Sequence, residues 1–573
     1  MNAQSIFQEY LSSPAIFKKN RRDVLRPEYV PDELPHREEE IRQLASIMAT
    51  ALRGNRPSNV LIFGKTGTGK TATVKYIDKE IRILREKNSG TKNTKSGAGS
   101  DKKQRGVGAD PGGLLNALSQ VHHIYINCEI VDTPYGVLQN IGNRFIDVFE
   151  WRIPFTGWPL ERVYEYLQKW VDRTHLFNVD LSDSSVKSDL EKGKLPPEIA
   201  EKILRWLGIK EPGKTRAYGP KSSASASSHP IFKDAEVEFI NESEYTITLK
   251  PFFADEKMGY PPGVLPVPDG VAEKLEDISL PDGKIIFDLV ENKKEMRVYT
   301  HLPRVVVVVL DEVDKLVYKS GDDVLYHIIK LNDDLKKAKI SIIGISNDLK
   351  FTEFLDPRVK SRLGEEKLIF PPYNAKQLTD ILRQRAKIAF EDGVLEPGVI
   401  ELCAAIGARE HGDARRALDL LRVAGEIAER ERRGRVTEQD VKKAQNQIEL
   451  DCIREVMRTL PDHSRIVLLG IYYNSIAGRN DLTTGEVYDA YKQLCQEMSI
   501  SPLTQRRVTD LISELDMLGL IHARIISKGK YGRTREISLS VPPKEVWGVL
   551  SEEPMFKNAR PPVVRAQSTL VSF

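Results

Sequence analysis

The chain has few cysteines and no long apolar run, and these absences argue against several classes of protein. Its cysteines are too widely separated to predict a zinc site or a disulfide framework, so we expect buried free thiols; they are Cys128, Cys403, Cys452 and Cys495. The longest apolar run, Val305 to Leu310, is far below the roughly 20 residues that span a bilayer. The N-terminal segment lacks a basic stretch followed by an apolar one, so we expect no secretion signal, no membrane partner and a cytoplasmic location.

The chain also lacks a strong charge of either sign. Lys and Arg total 85 against 82 Asp and Glu, and a net charge of +3 predicts no strong attraction of the whole molecule to nucleic acid. Any binding of DNA must therefore come from local clusters. With 573 residues, 40% of them hydrophobic and 29% charged, the chain has the composition of a folded protein of about two to four domains.

Five short β-rich runs predict one parallel sheet. They lie at 59–63, 122–127, 304–310, 340–346 and 367–370, and helical or loop sequence follows each of them. Continuous apolar strands separated by helices are typical of a parallel sheet that is covered on both faces. We therefore predict an α/β nucleotide-binding core over residues 1–372.

Two inserts interrupt this core. Residues 88–112 are polar and glycine-rich without periodicity, which predicts a flexible surface loop. A second insert, at about 175–300, begins with an amphipathic helix and continues into two alternating segments that read as hairpins, so we expect a small α+β module. After the core, helical periodicity predicts a lid over 373–450, and a further domain and a tail are expected at 451–550 and 551–573.

The strongest motif directly follows the first predicted strand. It matches G-x-x-x-x-G-K-[ST], in which backbone N–H groups converge on phosphate oxygens at a helix N-terminus. Lys70 is predicted to reach the β- and γ-phosphates, and Thr71 to offer its hydroxyl to Mg²⁺, so the expected cofactors are ATP or ADP and Mg²⁺. The motif comprises Gly64, Lys65, Thr66, Gly67, Thr68, Gly69, Lys70 and Thr71.

Polar residues also end two later strands. Asp311 and Glu312 follow a fully apolar strand, where buried carboxylates need a reason to exist. Coordination of Mg²⁺ by Asp311 and polarisation of the attacking water by Glu312 supply that reason. Asn347 ends the next strand, where it could orient the water or the γ-phosphate. The sequence therefore predicts a complete ATPase site.

The C-terminal domain reads as a helix-turn-helix followed by a basic hairpin. Thr483 and Glu486 stand at capping-box spacing, and a second helix follows the turn at 501–504. A winged helix with basic residues on both its recognition helix and its wing predicts binding to double-stranded DNA, although winged helices also serve as protein-protein modules. The predicted DNA-binding residues are Gln505, Arg506, Arg507, Thr509, Lys528, Lys530, Arg533 and Arg535.

Six segments together resemble archaeal replication initiators of the origin-recognition-complex and cell-division-control family. They are 25–40, 125–138, 309–316, 344–351, 355–363 and 411–424. The resemblance implies an AAA+ core with a lid, in which Asn347 is sensor one and Arg415 is sensor two. It also implies that Arg362, with Arg358, is an arginine finger that acts on the ATP of a neighbouring subunit. That subunit is either a second copy or a paralogue. The resemblance also implies a helical insertion at 153–170 that contacts DNA. The expected nucleotide-binding set adds Tyr29, Val30, Pro35, His36, Arg37 and Tyr373.

The tail carries Gln567, Leu570 and Phe573 at a spacing that resembles a sliding-clamp-binding peptide, with an unstructured tail as the alternative. We interpret the whole chain as a nucleoid-associated, ATP-dependent initiator that binds origin DNA and helps to load the replicative helicase. Two other functions fit the same motifs, a clamp-loader-like AAA+ motor and an ATP-sensing transcription regulator.

Overall fold

The computed structural model describes residues 15–90, 121–181, 184–207, 235–241, 244–249, 279–280, 284–292, 295–527, 533–559 and 561. The chain divides into two compact units. One comprises Pro27–Ile381 and Ala405–Arg416, and the other comprises Met1–Arg26, Leu382–Ala404 and Ala417–Phe573. Among the described residues, none of the helices combines the length and the apolarity that crossing a membrane requires.

The secondary structure alternates strands and helices in its first half and is mainly helical afterwards. The helices are α1 Glu38–Leu52, α2 Lys70–Gly90, α3 Pro134–Gly142, α4 Leu160–Asp172, α5 Ser184–Glu191, α6 Pro197–Leu207, α7 Val313–Ser320, α8 Asp323–Asp334, α9 Pro357–Leu363, α10 Ala375–Ala389, α11 Val399–Arg409, α12 Ala414–Arg430, α13 Glu438–Thr459, α14 Asp462–Ile476, α15 Thr484–Glu497, α16 Gln505–Met517, α17 Pro543–Leu550 and α18 Pro554–Lys557. The strands are β1 Val60–Phe63, β2 Val121–Asn127, β3 Arg173–Asp180, β4 Glu236–Asn241, β5 Glu244–Leu249, β6 Ile285–Asn292, β7 Glu295–His301, β8 Arg304–Asp311, β9 Ala338–Ser346, β10 Glu366–Ile369, β11 Leu482–Thr483, β12 Ile521–Ser527 and β13 Arg533–Leu539.

The first unit contains the predicted parallel sheet, with its five strands in the order β10-β1-β9-β8-β2. Every residue of β8 is buried, which explains its unbroken run of valines. Phe63 of β1 pairs with Ser346 of β9, and Asp311 of β8 pairs with Ile345 of β9 and Asn127 of β2. The carboxyl ends of four strands therefore meet along one edge of the sheet, where parallel sheets commonly place their ligands.

The second insert forms an antiparallel sheet in the order β3-β7-β6-β5-β4. Both predicted hairpins are present, as β4-β5 and β6-β7. The sequence missed β3 and the short helix α5, because α4 continues into β3 with no intervening turn residue. The module also begins at Arg173, whose buried guanidinium donates to Asp288 (2.9 Å) and Glu244 (3.1 Å) and joins three strands of the sheet.

The start of the predicted loop at 88 is three residues early, because α2 runs to Gly90. Polar composition alone does not end a helix, and the prediction relied on the loss of apolar periodicity. Residues 91–112 of that loop lie outside the described residues.

In the second unit, three further features can be compared with the sequence analysis. The predicted boundary between residues 450 and 451 falls inside α13, which is continuous from the lid helices towards α14. The capping box of Thr483 and Glu486 opens α15, and β11, β13 and β12 form the three-stranded sheet of the winged helix. Cys452 is exposed on α13, so the expectation of buried thiols is wrong there, whereas the other three cysteines are buried and free.

Candidate functional site: a phosphate loop and a winged helix

The phosphate loop connects β1 to α2 at the sheet edge. Gly67 and Gly69 have positive φ values of 72° and 89°, which turn the backbone towards the start of α2 and which a β-carbon would disfavour. The Lys70 ammonium donates to the carbonyl oxygens of Gly64 (2.7 Å) and Lys65 (2.8 Å). Lys70 therefore lies across the mouth of the loop, close to the position that a phosphate would take.

Asp311 is the last residue of β8 and Glu312 directly follows it, beside the phosphate loop. Asp311 accepts a hydrogen bond from the Thr71 hydroxyl at 2.8 Å, so the two expected metal-binding side chains are in contact. Glu312 has a left-handed backbone with φ 57° and ψ 44°, which turns the chain from the strand into α7. Its carboxylate lies 2.8 Å from the ammonium of Lys315, which also pairs with Glu129.

Asn347 and Arg415 reach the same place from β9 and α12. The side-chain oxygen of Asn347 accepts from Lys70 at 2.8 Å. Burial lowers the pKa of Lys70 to about 8; Asp311 acts in the opposite direction, and the nearby positive charge of Arg415 adds to the lowering. The structure therefore brings Asn347 and Asp311 into contact with the phosphate loop, and the nucleotide-binding roles of these residues and of Arg415 stay predictions.

The turn before α12 lies directly on the loop, which sequence reasoning missed. The backbone N–H of Ala414 donates to the carbonyl of Gly67 at 3.2 Å. The Asp413 carboxylate accepts from the N–H of Arg415 at 2.7 Å, and it fills the space that a side chain on Gly67 would need. His411, on the same turn, lies 3.5 Å from the ammonium of Lys65. The glycine-aspartate pair before Arg415 was the available signal in the sequence.

Arg37, which we predicted to bind nucleotide, instead bonds to backbone carbonyls of the protein. Its side chain is 2% exposed and donates to the carbonyl oxygens of Thr68 (3.0 Å) and Pro371 (2.6 Å). The guanidinium also stacks on the ring of Tyr373, 3.9 Å from the ring centroid. The donors of Arg37 are therefore taken by other groups of the protein, and Arg37 and Tyr373 together stabilise the phosphate loop. The other N-terminal residues of the expected adenine pocket are half-buried: Tyr29, Val30, Pro35 and His36, with His36 bonded to Asp380 at 3.0 Å.

The predicted arginine finger lies on α9. Arg362 is 59% exposed and its guanidinium is 3.5 Å from the carboxylate of Asp333, which is itself exposed. Arg358 is 74% exposed and pairs with Asp356 at the start of the helix. Because exposed ion pairs are weak, both guanidinium groups can exchange their present partners for an anion on another molecule.

The winged helix exposes the first turn of its recognition helix, α16. Thr504 caps the helix by accepting from the N–H of Arg507, and the side chains of Gln505, Arg506 and Arg507 are exposed. Thr509 is half-buried and its hydroxyl donates to the carbonyl of Gln505, within the helix. This geometry leaves two arginines and an amide at the end of the helix that can enter a DNA groove.

One wing residue that we predicted to contact DNA, Arg535, bonds within the domain instead. Arg535 on β13 donates to the Ser513 hydroxyl at 2.6 Å and to the carbonyl of Thr509 at 3.4 Å, so it joins the wing to the recognition helix. Arg533 opens β13. Lys528 and Lys530 lie outside the described residues, as do Gln567, Leu570 and Phe573 of the expected clamp peptide.

Comparisons with known proteins add family information to this geometry. Residues 455–548 match the model of the CDC6 C-terminal winged helix domain, and residues 379–446 match that of the Cdc6 AAA+ ATPase-type lid domain. The chain is 42% identical over 553 residues to ORC1-type DNA replication protein 7 of Halobacterium salinarum. The aligned region covers 96% of this chain and 90% of that protein. It is 40% identical over 542 residues to the ORC1-type DNA replication protein of Thermococcus onnurineus, with coverages of 95% and 92%.

A solved structure supports the same assignment. The Aeropyrum pernix ORC1 protein, solved in complex with DNA, is 35% identical to this chain and superposes with a TM-score of 0.56. The superposition covers 95% of this chain and 98% of that one. The predicted fold class, an AAA+ core with a helical lid and a C-terminal winged helix, is confirmed.

Proposed function

This chain belongs to the family of archaeal ORC1-type DNA replication proteins, and on that premise we propose that it is an ATP-dependent initiator that binds origin DNA. The observation that carries the proposal is the joint presence of two features. One is a phosphate loop whose Lys70 and Thr71 bond to Asn347 and Asp311. The other is a winged helix with an exposed, basic recognition turn. Neither part alone distinguishes an initiator from the many other proteins that contain it.

In the proposed ATP site, Lys70 exchanges its two carbonyl partners for phosphate oxygens, and the backbone of the loop encloses the β-phosphate. The Thr71 hydroxyl and the Asp311 carboxylate are hard oxygen donors that suit Mg²⁺. Bound Mg²⁺ would neutralise developing phosphate charge. Among the described residues there is no cluster of three or more metal-binding side chains, which fits a cation that is held partly by the nucleotide.

The proposed hydrolysis step depends on Glu312, which orients the attacking water, and on Asn347 and Arg415, which contact the γ-phosphate. The pairing of Glu312 with Lys315 restrains the carboxylate before the step. Arg362 of one subunit would complete the site of its neighbour, since its exposed side chain can leave Asp333. Hydrolysis is therefore expected to be slow in the isolated chain and to serve as a switch.

The switch is proposed to act through the turn at 411–413. This turn contacts the loop through Gly67, so a bound γ-phosphate and Arg415 would change its contacts. A ligand shifts such an equilibrium only by its differential affinity for the two states, and the γ-phosphate that distinguishes ATP from ADP supplies that difference.

On DNA, Arg506 and Arg507 are proposed to reach base edges or phosphates in the major groove while the wing contacts the adjacent backbone. Family membership further motivates recruitment of the replicative helicase, and the tail motif motivates a contact with the sliding clamp. Both are proposals that rest on the sequence. Loss of clamp pull-down on deletion of residues 567–573 is the expected result for the second, and full retention would contradict it.

Genome-wide DNA occupancy tests the central proposal. We expect the wild type to occupy a small number of origin sites, and Lys70→Ala to lose part of that occupancy while its winged helix still binds DNA in vitro. Arg82→Ala is the control, because Arg82 lies on the same helix, is 63% exposed and pairs with Asp78 one turn earlier. Occupancy confined to promoters would identify a transcription regulator, and rapid DNA-stimulated turnover with clamp opening would identify a loader.

A further inference from the structure

Tyr125 contacts the ATP site from a strand that the sequence analysis did not connect with catalysis. It belongs to β2 and pairs in register with Val309, two residues before Asp311 on the neighbouring strand. Its hydroxyl donates to Oδ2 of Asp311 at 2.5 Å. The ring is 41% exposed, and the ammonium of Lys75 lies 4.8 Å from its centroid. The ring therefore contributes little to the core, and the hydroxyl is the part of the side chain with a defined partner.

The Asp311 carboxylate has three donors around it. The hydroxyls of Thr71 and Tyr125 both donate to Oδ2, at 2.8 and 2.5 Å, and the N–H of Glu312 donates to Oδ1 at 3.1 Å. A carboxylate offers about four lone-pair positions, so these bonds leave about one, on Oδ1, for a further donor or a cation. The bonds come from three separate segments, α2, β2 and the backbone that follows β8.

Such a set of donors fixes the rotation of the carboxylate. The terminal torsion of an aspartate is broad and has little intrinsic preference, so the orientation depends on its hydrogen bonds. Thr71 can bind a cation through an oxygen lone pair while it still donates its proton to Asp311. The bond from Tyr125 is independent of the cation, and it remains as the restraint on the carboxylate when Thr71 changes its contacts.

We propose that Tyr125 is a positioning residue for the divalent cation of the ATP site, acting through Asp311. The inference rests on the proposed ATP binding and identifies the residue that sets the cation requirement of that site. Mg²⁺ demands nearly ideal octahedral geometry, so a carboxylate that rotates freely binds it, or its water ligands, less well. Side chains that orient metal ligands typically change metal affinity by about 10- to 100-fold when they are removed.

The test compares Tyr125→Phe with the wild type and with a matched control. The control is Tyr299→Phe, because Tyr299 also donates its hydroxyl to an aspartate, Asp147 at 3.2 Å, and lies on β7 of the inserted sheet. Affinity for a fluorescent ADP analogue is measured over a Mg²⁺ titration and again in EDTA. We expect Tyr125→Phe to need about tenfold more Mg²⁺ for half-maximal tightening, with unchanged affinity in EDTA. The control should match the wild type in both conditions.

A second readout uses Mn²⁺ in place of Mg²⁺. Electron paramagnetic resonance of the Mn²⁺-ADP complex should show a weaker or more heterogeneous protein-bound signal for Tyr125→Phe than for Tyr299→Phe. An unchanged cation requirement in Tyr125→Phe would overturn the inference, and so would an equal loss of affinity with Mg²⁺ and in EDTA, which indicates general damage to the loop. If the wild type binds no nucleotide, the proposed function itself fails, and that result is distinct from either of the others.

Discussion

Replacing Arg37 with lysine keeps the positive charge behind the phosphate loop but removes the planar fork that holds it. The guanidinium donates to three backbone carbonyls, those of His36, Thr68 and Pro371, at 3.2, 3.0 and 2.6 Å, and to Glu40 at 3.2 Å. An ammonium is a point donor on a flexible stem, and it cannot reach all these acceptors at once. We expect the loop to remain formed but to open more often.

The magnitude follows from the bonds that lysine cannot remake. At least two carbonyl acceptors lose their donor in a site that is 2% exposed, and each buried hydrogen bond contributes about 1 kcal/mol, with a further cost for the unsatisfied oxygen. The stacking on Tyr373 at 3.9 Å adds about 1 kcal/mol, part of which lysine retains. The local opening free energy of the loop should therefore fall by about 2 to 4 kcal/mol.

Hydrogen exchange measured by mass spectrometry on peptides that cover residues 60–75 is the direct assay, because it reports local opening in the folded protein. A loss of about 2 kcal/mol corresponds to exchange that is about 30-fold faster in this segment. Arg42→Lys is the control, since Arg42 is 77% exposed and pairs with Glu39 on the same helix.

Equal exchange of the loop in Arg37→Lys and in the wild type would refute this reasoning. It would mean that the stacked guanidinium is not what holds the loop, and that the contacts of the 411–413 turn are sufficient. A uniform increase in exchange throughout the first unit would instead point to global destabilisation.

Three further predictions concern separate parts of the chain. Gly67→Ala should weaken nucleotide binding in a binding assay, because its β-carbon would lie 1.7 Å from Oδ1 of Asp413 at a φ of +72°; unchanged affinity would show that the 411–413 turn moves away readily. Arg535→Ala should lower the stability of the winged helix by about 1 kcal/mol in thermal unfolding, whereas Arg506→Ala should leave stability unchanged and reduce the salt dependence of DNA binding by about one phosphate contact. Burial alone would raise the pKa of Asp440, but its bonds from Arg433 and Thr437 lower it below the usual 3.8, so Asp440→Asn should destabilise the protein at pH 7, and the difference from wild type should shrink as the pH falls below about 4. A difference that does not depend on pH would contradict that assignment.

The core and the phosphate site could be predicted because their signals are local. The run before Asp311 is apolar throughout, since β8 is buried on both faces, and the loop motif needs its own fixed spacing to bind phosphate. The order of the strands then placed Asp311 and Asn347 at one edge of the sheet, and both contact the loop.

Other parts depend on contacts between residues that are distant in the chain. Nothing in the sequence distinguishes Tyr125 from any other exposed aromatic residue of a strand, and the pairing of β2 with β8 is what brings it to Asp311. Arg37 and Arg535 resemble exposed ligands in the sequence, but each bonds within its own unit. The predicted boundary at 450/451 lies between the two family matches, but it does not coincide with a helix end, because no glycine or proline interrupts α13 between Glu438 and Thr459.

The antiparallel pairing of β3 with β7 has a consequence for the modularity of the chain. Arg173 pairs with His301, so the inserted sheet leaves and re-enters the core at two neighbouring points. Paired backbones of this kind are only about 5 Å apart, a gap that a hairpin turn of a few residues can close. We therefore expect that a short turn or another domain could join Asp172 to Arg304 while the strand order of the parallel sheet stays the same, at the cost of the packing of Val290 and Tyr299 against the core.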